Sequence, residues 1–183
     1  MSFFKKLFKS KEPSNEIAEK KPIVKLSIDD AFVHNFISKG GKFLYCISEN
    51  NWDIITCYDK QLNNFLKKSN VKFQLEVDNK KPLFTSCEHL ISDNGDILFS
   101  SNQLSTYKIA SLTDDFIVFA KTSQFVRNTG EGLTGIKTNC KNGSIPTNIS
   151  AVKKYNIDED NDNFLNYGNN NSKNLYLLLL EDL

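Results

Sequence analysis

The sequence has little cysteine and little histidine, which narrows the metal chemistry open to it. Its 183 residues include four cysteines, at positions 46, 57, 87 and 140, and two histidines, at 34 and 89. No C-x-x-C pair occurs and neither histidine has a second ligand at metal-binding spacing, so zinc and iron–sulfur patterns are absent. We therefore expect no metal and no cofactor bound by this chain. Cys46 and Cys57 alternate with apolar residues and are predicted to be buried in strands.

The sequence also lacks a charge excess and a long apolar run. Lys and Arg number 23 against 22 Asp and Glu, and a net charge of +1 gives no general attraction to nucleic acid. No signal peptide or membrane-spanning run is visible, so we expect a cytoplasmic protein with free thiols.

Residues 3–9 place phenylalanines on one helical face and lysines around it. The segment is predicted to be a frayed tail, and the alternative is a weak peripheral contact with the inner membrane.

The order of predicted elements is typical of an α/β protein. Residues 1–26 are predicted to be a flexible basic amphipathic tail and linker, and residues 27–183 a single domain. Ser27 is a helix cap followed by apolar residues at helical spacing, and "KQLNNFLKKS" is a second, short helix. The predicted strands are "KFLYCIS", "WDIITCYD", "VKFQLEV", "DDFIVFAK" and "KNLYLLLLEDL". The last is apolar throughout, which favours a place in the middle of a mostly parallel sheet.

The stretch "TGEGLTGI" has the G-x-G-x-x-G spacing of a dinucleotide-binding loop. That loop needs its first glycine directly after a strand, so that the next helix points its amino terminus at the phosphates. Here the preceding strand ends near Lys121, and eight residues, "TSQFVRNT", intervene. Thr122 or Ser123 is predicted to cap a helix that contains Phe125 and Val126. The glycines are therefore predicted to lie inside this helix and to bind no phosphate.

Three further patterns carry weaker signals. Asn94-Gly95 separates two apolar runs and predicts a hairpin with a type I′ turn. Cys87 and His89 are two residues apart in a predicted strand, and an imidazole on the same face can lower a thiol pKa. "DEDNDN", residues 158–163, lacks the glycine and the glutamate of a calcium loop and is predicted to be a solvated acidic loop.

Four stretches, read in order, resemble the lactate-utilisation (LUD) domain family over residues 27–183. They are "FISKGGKFLYC", "HLISDNGDILFSS", "LTDDFIVFAKTSQFV", and "SIPTNISAV" followed by "YGNNNSKNLYLLLLED". The second matches the place where the family often reads A-E-T-G-T, and the fourth is similar to its S-R-T-A-D-I-E. The likeness is to the short, cluster-free members of the Bacteroidetes-like type.

This resemblance implies a three-layer α/β/α fold with a mostly parallel sheet, of the sugar-isomerase and CoA-transferase-like (NagB/RpiA) type. Members of the family take part in the oxidation of lactate to pyruvate within a multi-protein complex. The chain is then expected to be a subunit or accessory protein of a complex that oxidises lactate or a related 2-hydroxy acid. Its partners are expected to be iron–sulfur proteins, which hold the clusters that this chain lacks.

The expected ligand site is a polar cleft near the strand ends. Its candidate residues are Glu88, Asn94, Gly95, Ser101, Thr147 and Asn148. Asn94-Gly95 is expected to offer backbone N–H groups; the alternative is that this pair is simply a hairpin turn.

The family's Arg, Asp and Glu positions are occupied here by Ile145, Asn148 and Ser150, so no catalytic set is identified. The alternative function is therefore a non-catalytic binding or scaffold module that has lost the small-molecule site.

Overall fold

The computed structural model contains two β-sheets covered by helices. It describes residues 26–140, 145–155 and 172–182, so the predicted tail or membrane contact at 3–9 and the acidic loop at 158–163 lie outside the described residues. The helices are α1 (Ile28–Ser38), α2 (Lys60–Lys68), α3 (Ser101–Leu104) and α4 (Thr129–Thr138). Short 3₁₀ turns occupy Ile47–Asn50, Ile109–Ser111 and Thr122–Gln124.

The larger sheet has six strands, and every pairing in it is parallel. Its strands in spatial order are β1 (Lys42–Phe43), β10 (Asn174–Leu180), β7 (Asp115–Lys121), β4 (Leu83–Ser86), β2 (Ile55–Thr56) and β3 (Phe73–Gln74). The apolar last strand, β10, lies inside this sheet between β1 and β7, as predicted. The predicted α/β class with a mostly parallel sheet is confirmed.

A second sheet of four strands was not predicted. Its spatial order is β8 (Phe125–Val126), β5 (His89–Ile91), β6 (Asp96–Phe99) and β9 (Ser150–Val152). Only the β5–β8 pairing is parallel; β6 runs antiparallel to both of its neighbours. This mixed sheet packs on one face of the larger sheet beside α1, and their shared core includes Phe36, Ile97 and Phe116.

Helices close the two outer faces. Helix α2 covers the opposite face of the larger sheet, where Leu66 packs with Phe84 and Ile117. Helix α4 covers the outer face of the second sheet, where Ile136 packs with Ile91 and Leu98. The alternation of side chains along β7 sends neighbouring residues into different cores, which explains why residues 116–120 are all apolar.

Helix α1 forms for the local reasons that its sequence predicts. The Ser27 side chain accepts a hydrogen bond from the Asp30 N–H at 3.3 Å, which satisfies one of the free amides of the first turn. Phe32 and Phe36 are fully buried, while His34 lies on the exposed, polar side. The prediction of this helix and of its cap is confirmed.

Several strands are shorter than the apolar patterns predict. For this reason the predicted position of Cys46 is wrong. Strand β1 ends at Phe43, and the chain then enters the turn Ile47–Asn50, so Cys46 lies outside the sheet and is exposed. The prediction that Cys46 is buried is therefore wrong. Cys57 is buried as predicted, and desolvation raises the pKa of its thiol to about 11.

The predicted start of helix α4 is also wrong. Thr122–Gln124 forms a 3₁₀ turn, and Phe125–Val126 forms β8, which pairs with Leu90 and Ile91. The helix begins only at Thr129, where Asn128 caps it by accepting a hydrogen bond from the Glu131 N–H at 3.0 Å. The glycines of "TGEGLTGI" do lie inside the helix, which confirms that part of the prediction.

The predicted hairpin around Asn94-Gly95 is present, but its turn type is wrong. Strands β5 and β6 pair antiparallel with Ile91 opposite Asp96, which leaves residues 92–95 as the turn. A type I′ turn needs two residues at positive φ, whereas in this turn only Gly95 has one, at 72°. A Cβ on Gly95 would lie 2.6 Å from the Phe36 backbone nitrogen and 2.7 Å from the Asn35 carbonyl carbon. Helix α1 therefore packs directly on this glycine.

We predict that Gly95→Ala lowers the free energy of unfolding by about 3 kcal/mol, because it combines a strained φ with a backbone clash. Urea unfolding of the two proteins measures this difference. The matched control is Gly130→Ala in the first turn of α4, where the new methyl group meets only the end of the Asn128 side chain. Alanine is the better helix former, so the control should change stability by less than about 1 kcal/mol. Equal effects of the two substitutions would contradict the close contact at Gly95.

Candidate functional site

A polar cleft of about 520 Å³ lies beyond the carboxyl ends of β4 and β7. These two strands are parallel neighbours, so their carboxyl ends meet at the same edge of the sheet. Glu88 and His89, which follow β4, form one wall, and Ser123 and Gln124, which follow β7, form the second. The last turn of α4 forms the third wall, and Asn102 and Pro146 complete the lining. A volume of this size suits a small molecule.

The carboxylate of Glu88 is held through one of its two oxygens. Oε1 accepts hydrogen bonds from Ser100 Oγ at 2.5 Å, Asn102 Nδ2 at 2.8 Å and Gln103 Nε2 at 3.1 Å. Ser100 is fully buried and caps the short helix α3, so these donors are themselves fixed. In the described part of the chain no group donates a hydrogen bond to Oε2. Glu88 therefore presents one orientated, free acceptor to the cleft.

Gln124 joins the ends of the two strands across the cleft. Its Nε2 donates to the carbonyl oxygen of Cys87 at 2.5 Å and to that of Glu88 at 3.2 Å, while its Oε1 accepts from the Lys121 N–H at 2.7 Å. Both polar atoms of the carboxamide are thus occupied within the protein. Sequence reasoning missed this residue, because its main partners lie about 36 residues earlier in the chain and no local pattern marks it.

Asp182, just beyond β10, fixes the wall that follows β7. Its carboxylate accepts hydrogen bonds from Thr122 Oγ1 at 2.7 Å, from the Ser123 N–H at 2.9 Å and from Ser123 Oγ at 2.5 Å. These bonds from Ser123 and Thr122 hold the pKa of Asp182 well below its ordinary value of 3.8. Because the Ser123 hydroxyl donates its proton to Asp182, it offers only lone pairs to the cleft.

The glycines of helix α4 admit the imidazole of His89. A Cβ on Gly135 would lie 2.9 Å from His89 Nε2, and one on Gly132 would lie 3.5 Å from Cδ2. On its other side the ring places Nδ1 3.4 Å from the carbonyl oxygen of Gln124. The spacing of these glycines thus serves a close approach of helix and sheet.

The amino terminus of α4 is closed to a phosphate. Asn128 accepts from the Glu131 N–H, and the Glu131 carboxylate accepts from the Arg127 N–H at 2.8 Å. The negative charge of Glu131 therefore lies beside the amino terminus of α4, where it disfavours a second anion.

The structure brings together only part of the predicted site. Ser101 and Thr147 are joined by two hydrogen bonds, each of 2.9 Å, which attach the loop containing Pro146 to the start of α3, close to Glu88. Asn148 follows in this loop, exposed and with φ at 52°. Asn94 and Gly95 lie at the opposite end of the β5–β6 hairpin from Glu88. These two are not part of the cleft.

The Asn94-Gly95 turn is occupied by contacts within the protein. The Gly95 N–H donates to the Ile91 carbonyl at 2.8 Å, and the Tyr155 hydroxyl donates to the Gly95 carbonyl. The Asn94 carboxamide makes two hydrogen bonds with Asp96, at 2.8 and 3.0 Å. The Gly95 N–H is therefore not free to bind a ligand, and these contacts favour the alternative that the pair is simply a hairpin turn.

Cys87 is not an activated thiol. Its side chain is only 3% exposed, and desolvation raises its pKa far above the ordinary value, with Glu88 acting in the same direction. The alternative in which His89 lowers the Cys87 pKa is therefore wrong.

Over 26–140, 145–155 and 172–182, no three His, Cys, Asp or Glu side chains are grouped so that they could hold a metal ion. Over the same ranges, no helix is both long enough and apolar enough to span a membrane.

We predict that Asp182→Asn destabilises the protein at neutral pH and that the difference from the wild type shrinks in acid. Because the folded pKa is depressed, the contribution of Asp182 is present above pH 3.8 and is lost as the pH falls from there through the lower folded value. Urea unfolding at a series of pH values measures this. Glu181→Gln is the control, since Glu181 is an exposed neighbouring carboxylate without a hydrogen bond in the described region. A difference that stays constant with pH would contradict the assignment.

Comparison with known proteins supports the fold. No family model and no curated protein matches the sequence. Among solved structures, the chain is similar to a DUF162 family protein from Deinococcus radiodurans, with a TM-score of 0.50 and 10% sequence identity. The match covers 86% of this chain and 100% of that one. At this identity the likeness establishes a shared α/β fold.

Proposed function

We propose that this chain is a LUD-domain subunit or accessory protein of a complex that oxidises lactate or a related 2-hydroxy acid. The observation that carries the proposal is the likeness of its fold to a DUF162 protein, because DUF162 is a lactate-utilisation-like domain. The four sequence stretches that resemble the LUD family support the same assignment independently of the coordinates. Oxidation of a hydroxy acid needs an electron acceptor, and in this proposal iron–sulfur partner proteins supply it.

The Glu88 cleft is the proposed ligand site of this protein. It lies outside the carboxyl ends of adjacent parallel strands, where open α/β sheets place their ligands. Its walls are held by three separate anchors: the donors around Glu88, the Gln124 carboxamide and the Asp182 carboxylate. A site held in this way loses little conformational entropy when a ligand binds.

The test of the proposed function is genetic. Deletion of the gene should slow growth on lactate and lower lactate oxidation in extracts, and the wild-type gene should restore both. Glu88→Gln should restore growth only in part, because it replaces the free acceptor of the cleft with a donor. Glu181→Gln, an exposed carboxylate outside the cleft, should restore growth fully. Normal growth and normal lactate oxidation without the gene would remove the assignment.

A second candidate function is a scaffold on the same fold without a working cleft. The loop that borders the cleft favours it, because Ile145 is 55% exposed and Asn148 is exposed, where the resembled family has charged residues. Ser150 takes the place of a third charged residue and pairs with Phe99 in the second sheet.

Thermal unfolding with anionic, neutral and cationic metabolites separates the two functions. A ligand at about 100 times its Kd stabilises a protein by about 2.7 kcal/mol, which raises the Tm by several degrees. A scaffold should show no such rise, and Glu88→Gln should leave its partner binding unchanged. A rise that Glu88→Gln abolishes would count against the scaffold.

A further inference from the structure

Three polar side chains that line the Glu88 cleft, those of Glu88, Asn102 and Ser123, each keep an acceptor to which no described group donates. Glu88 Oε2 receives no hydrogen bond in the described part of the chain, while Oε1 accepts three. Asn102 uses its Nδ2 to hold Glu88, which leaves its Oδ1 without a donor among the described residues. Ser123 gives its proton to Asp182 and keeps its lone pairs.

His89 adds a further acceptor. Its Nδ1 lies 3.4 Å from the Gln124 carbonyl oxygen, which can only accept, so a hydrogen bond there requires the proton on Nδ1. In the neutral ring Nε2 then carries a lone pair, on the side of Gly135, which also lines the cleft. The cleft thus presents hydrogen-bond acceptors from four different side chains.

The third wall has the same polarity. Gly135, Ile136, Asn139 and Cys140 belong to the carboxyl-terminal turn of α4 and the residues after it. The carboxyl end of a helix carries a partial negative charge, which favours a cation within the last turn. Lys137 is in this turn but is exposed, and none of the described lining residues is Lys or Arg. A carboxylate and a helix carboxyl end therefore face the same space.

We propose that this cleft binds a small molecule through a primary ammonium group, which donates to Glu88 Oε2 in front of the last turn of α4. An ammonium has three donors and no acceptor, so it matches this lining, whereas a carboxylate or phosphate has acceptors only. The inference rests on the proposed function to the extent that the Glu88 cleft is the ligand site. It extends that proposal, because it gives the cleft of this chain a ligand other than lactate.

Three compounds with one carbon skeleton test the charge preference directly. They are 1-amino-2-propanol, 1,2-propanediol and lactate, which share the carbinol carbon and its methyl group and differ at C1, which is an aminomethyl (ammonium), a hydroxymethyl or a carboxylate carbon at neutral pH. Titration of the full chain, followed by the backbone amide NMR signals of His89, Ser123 and Gly135, gives a Kd for each. The signals of Asn94 and Gly95, at the far end of the hairpin, are the internal control. We expect the amine to bind about fivefold more tightly than the diol, and lactate to bind most weakly.

Two variants test whether Glu88 and the carboxyl end of α4 cause the preference for the amine. Glu88→Gln keeps the shape of the side chain and should abolish the advantage of the amine over the diol. Asn139→Lys leaves the hydrogen bonds of Glu88 intact and places a cation at the carboxyl end of α4, so lactate should then bind more tightly than the amine. This second variant keeps the test valid if Glu88→Gln fails to fold.

The inference is overturned if lactate binds the wild type as tightly as the amine, or if none of the three compounds shifts the cleft signals. It is also overturned if Asn139→Lys leaves the order of affinities unchanged. These outcomes concern binding to the cleft, whereas the proposed function is tested separately by growth on lactate. If the protein prefers the amine but deletion of its gene leaves lactate oxidation normal, the proposed role in lactate oxidation is refuted. The proposal that the cleft binds an ammonium group then still stands.

Discussion

The parallel pairing of β7 with β10 is the interaction on which the rest of the structure depends. It runs over seven residues, from Asp115 opposite Asn174 to Lys121 opposite Leu180. Without β10, strand β1 would have no partner in the sheet and β7 would become an edge strand. The register also delivers Asp182 to Thr122 and Ser123, directly beyond the last pair. The central packing of the sheet and one wall of the cleft therefore come from the same pairing.

A second constraint holds the hairpin that supplies Glu88. Asp96 is only 3% exposed, and its carboxylate is balanced by Lys39 at 2.6 Å, just after α1. A buried charge of this kind is tolerated only with a close partner, so the pair fixes the position of the hairpin against the helix. The Asn35 carboxamide adds a hydrogen bond to the Ser92 carbonyl at 2.8 Å. One end of the hairpin is packed in this way, while the other end, at Glu88 and His89, lines the cleft.

The parts of this structure that sequence reasoning predicted are those set by neighbouring residues. Helix α1 follows from the Ser27 cap and helical spacing, and the burial of β10 follows from its uninterrupted apolar run. The start of α4 was predicted wrongly, because Phe125 and Val126 are strand residues only through their pairing with β5, about 35 residues earlier in the chain. Local propensity cannot report such a partner.

In the candidate site, too, sequence reasoning found what depends on neighbouring residues and missed what depends on distant ones. Glu88 was predicted, but the reason that one of its oxygens stays free lies in Ser100, Asn102 and Gln103, which approach it only in the folded chain. Gln124 and Asp182 were missed, since each acts on residues far away in sequence. Asn94-Gly95 was included because its backbone N–H groups were expected to face a ligand, yet Gly95 contacts α1 and Tyr155. A local motif thus identifies a turn, and only packing decides whether that turn faces a ligand.

The fold and the ligand of the cleft are separate questions, because one fold hosts many sites. Ile145 precedes Pro146, which lines the cleft, and it occupies the place where the resembled family has arginine. A guanidinium at this rim would attract an anion, whereas the exposed isoleucine cannot donate a hydrogen bond. Ile145 and the acceptor-rich walls of the cleft therefore have the same consequence: neither provides a positive charge that could bind a carboxylate. The proposed role in lactate oxidation and the proposed amine ligand are therefore compatible, since the first concerns the partners of the chain and the second concerns its own cleft.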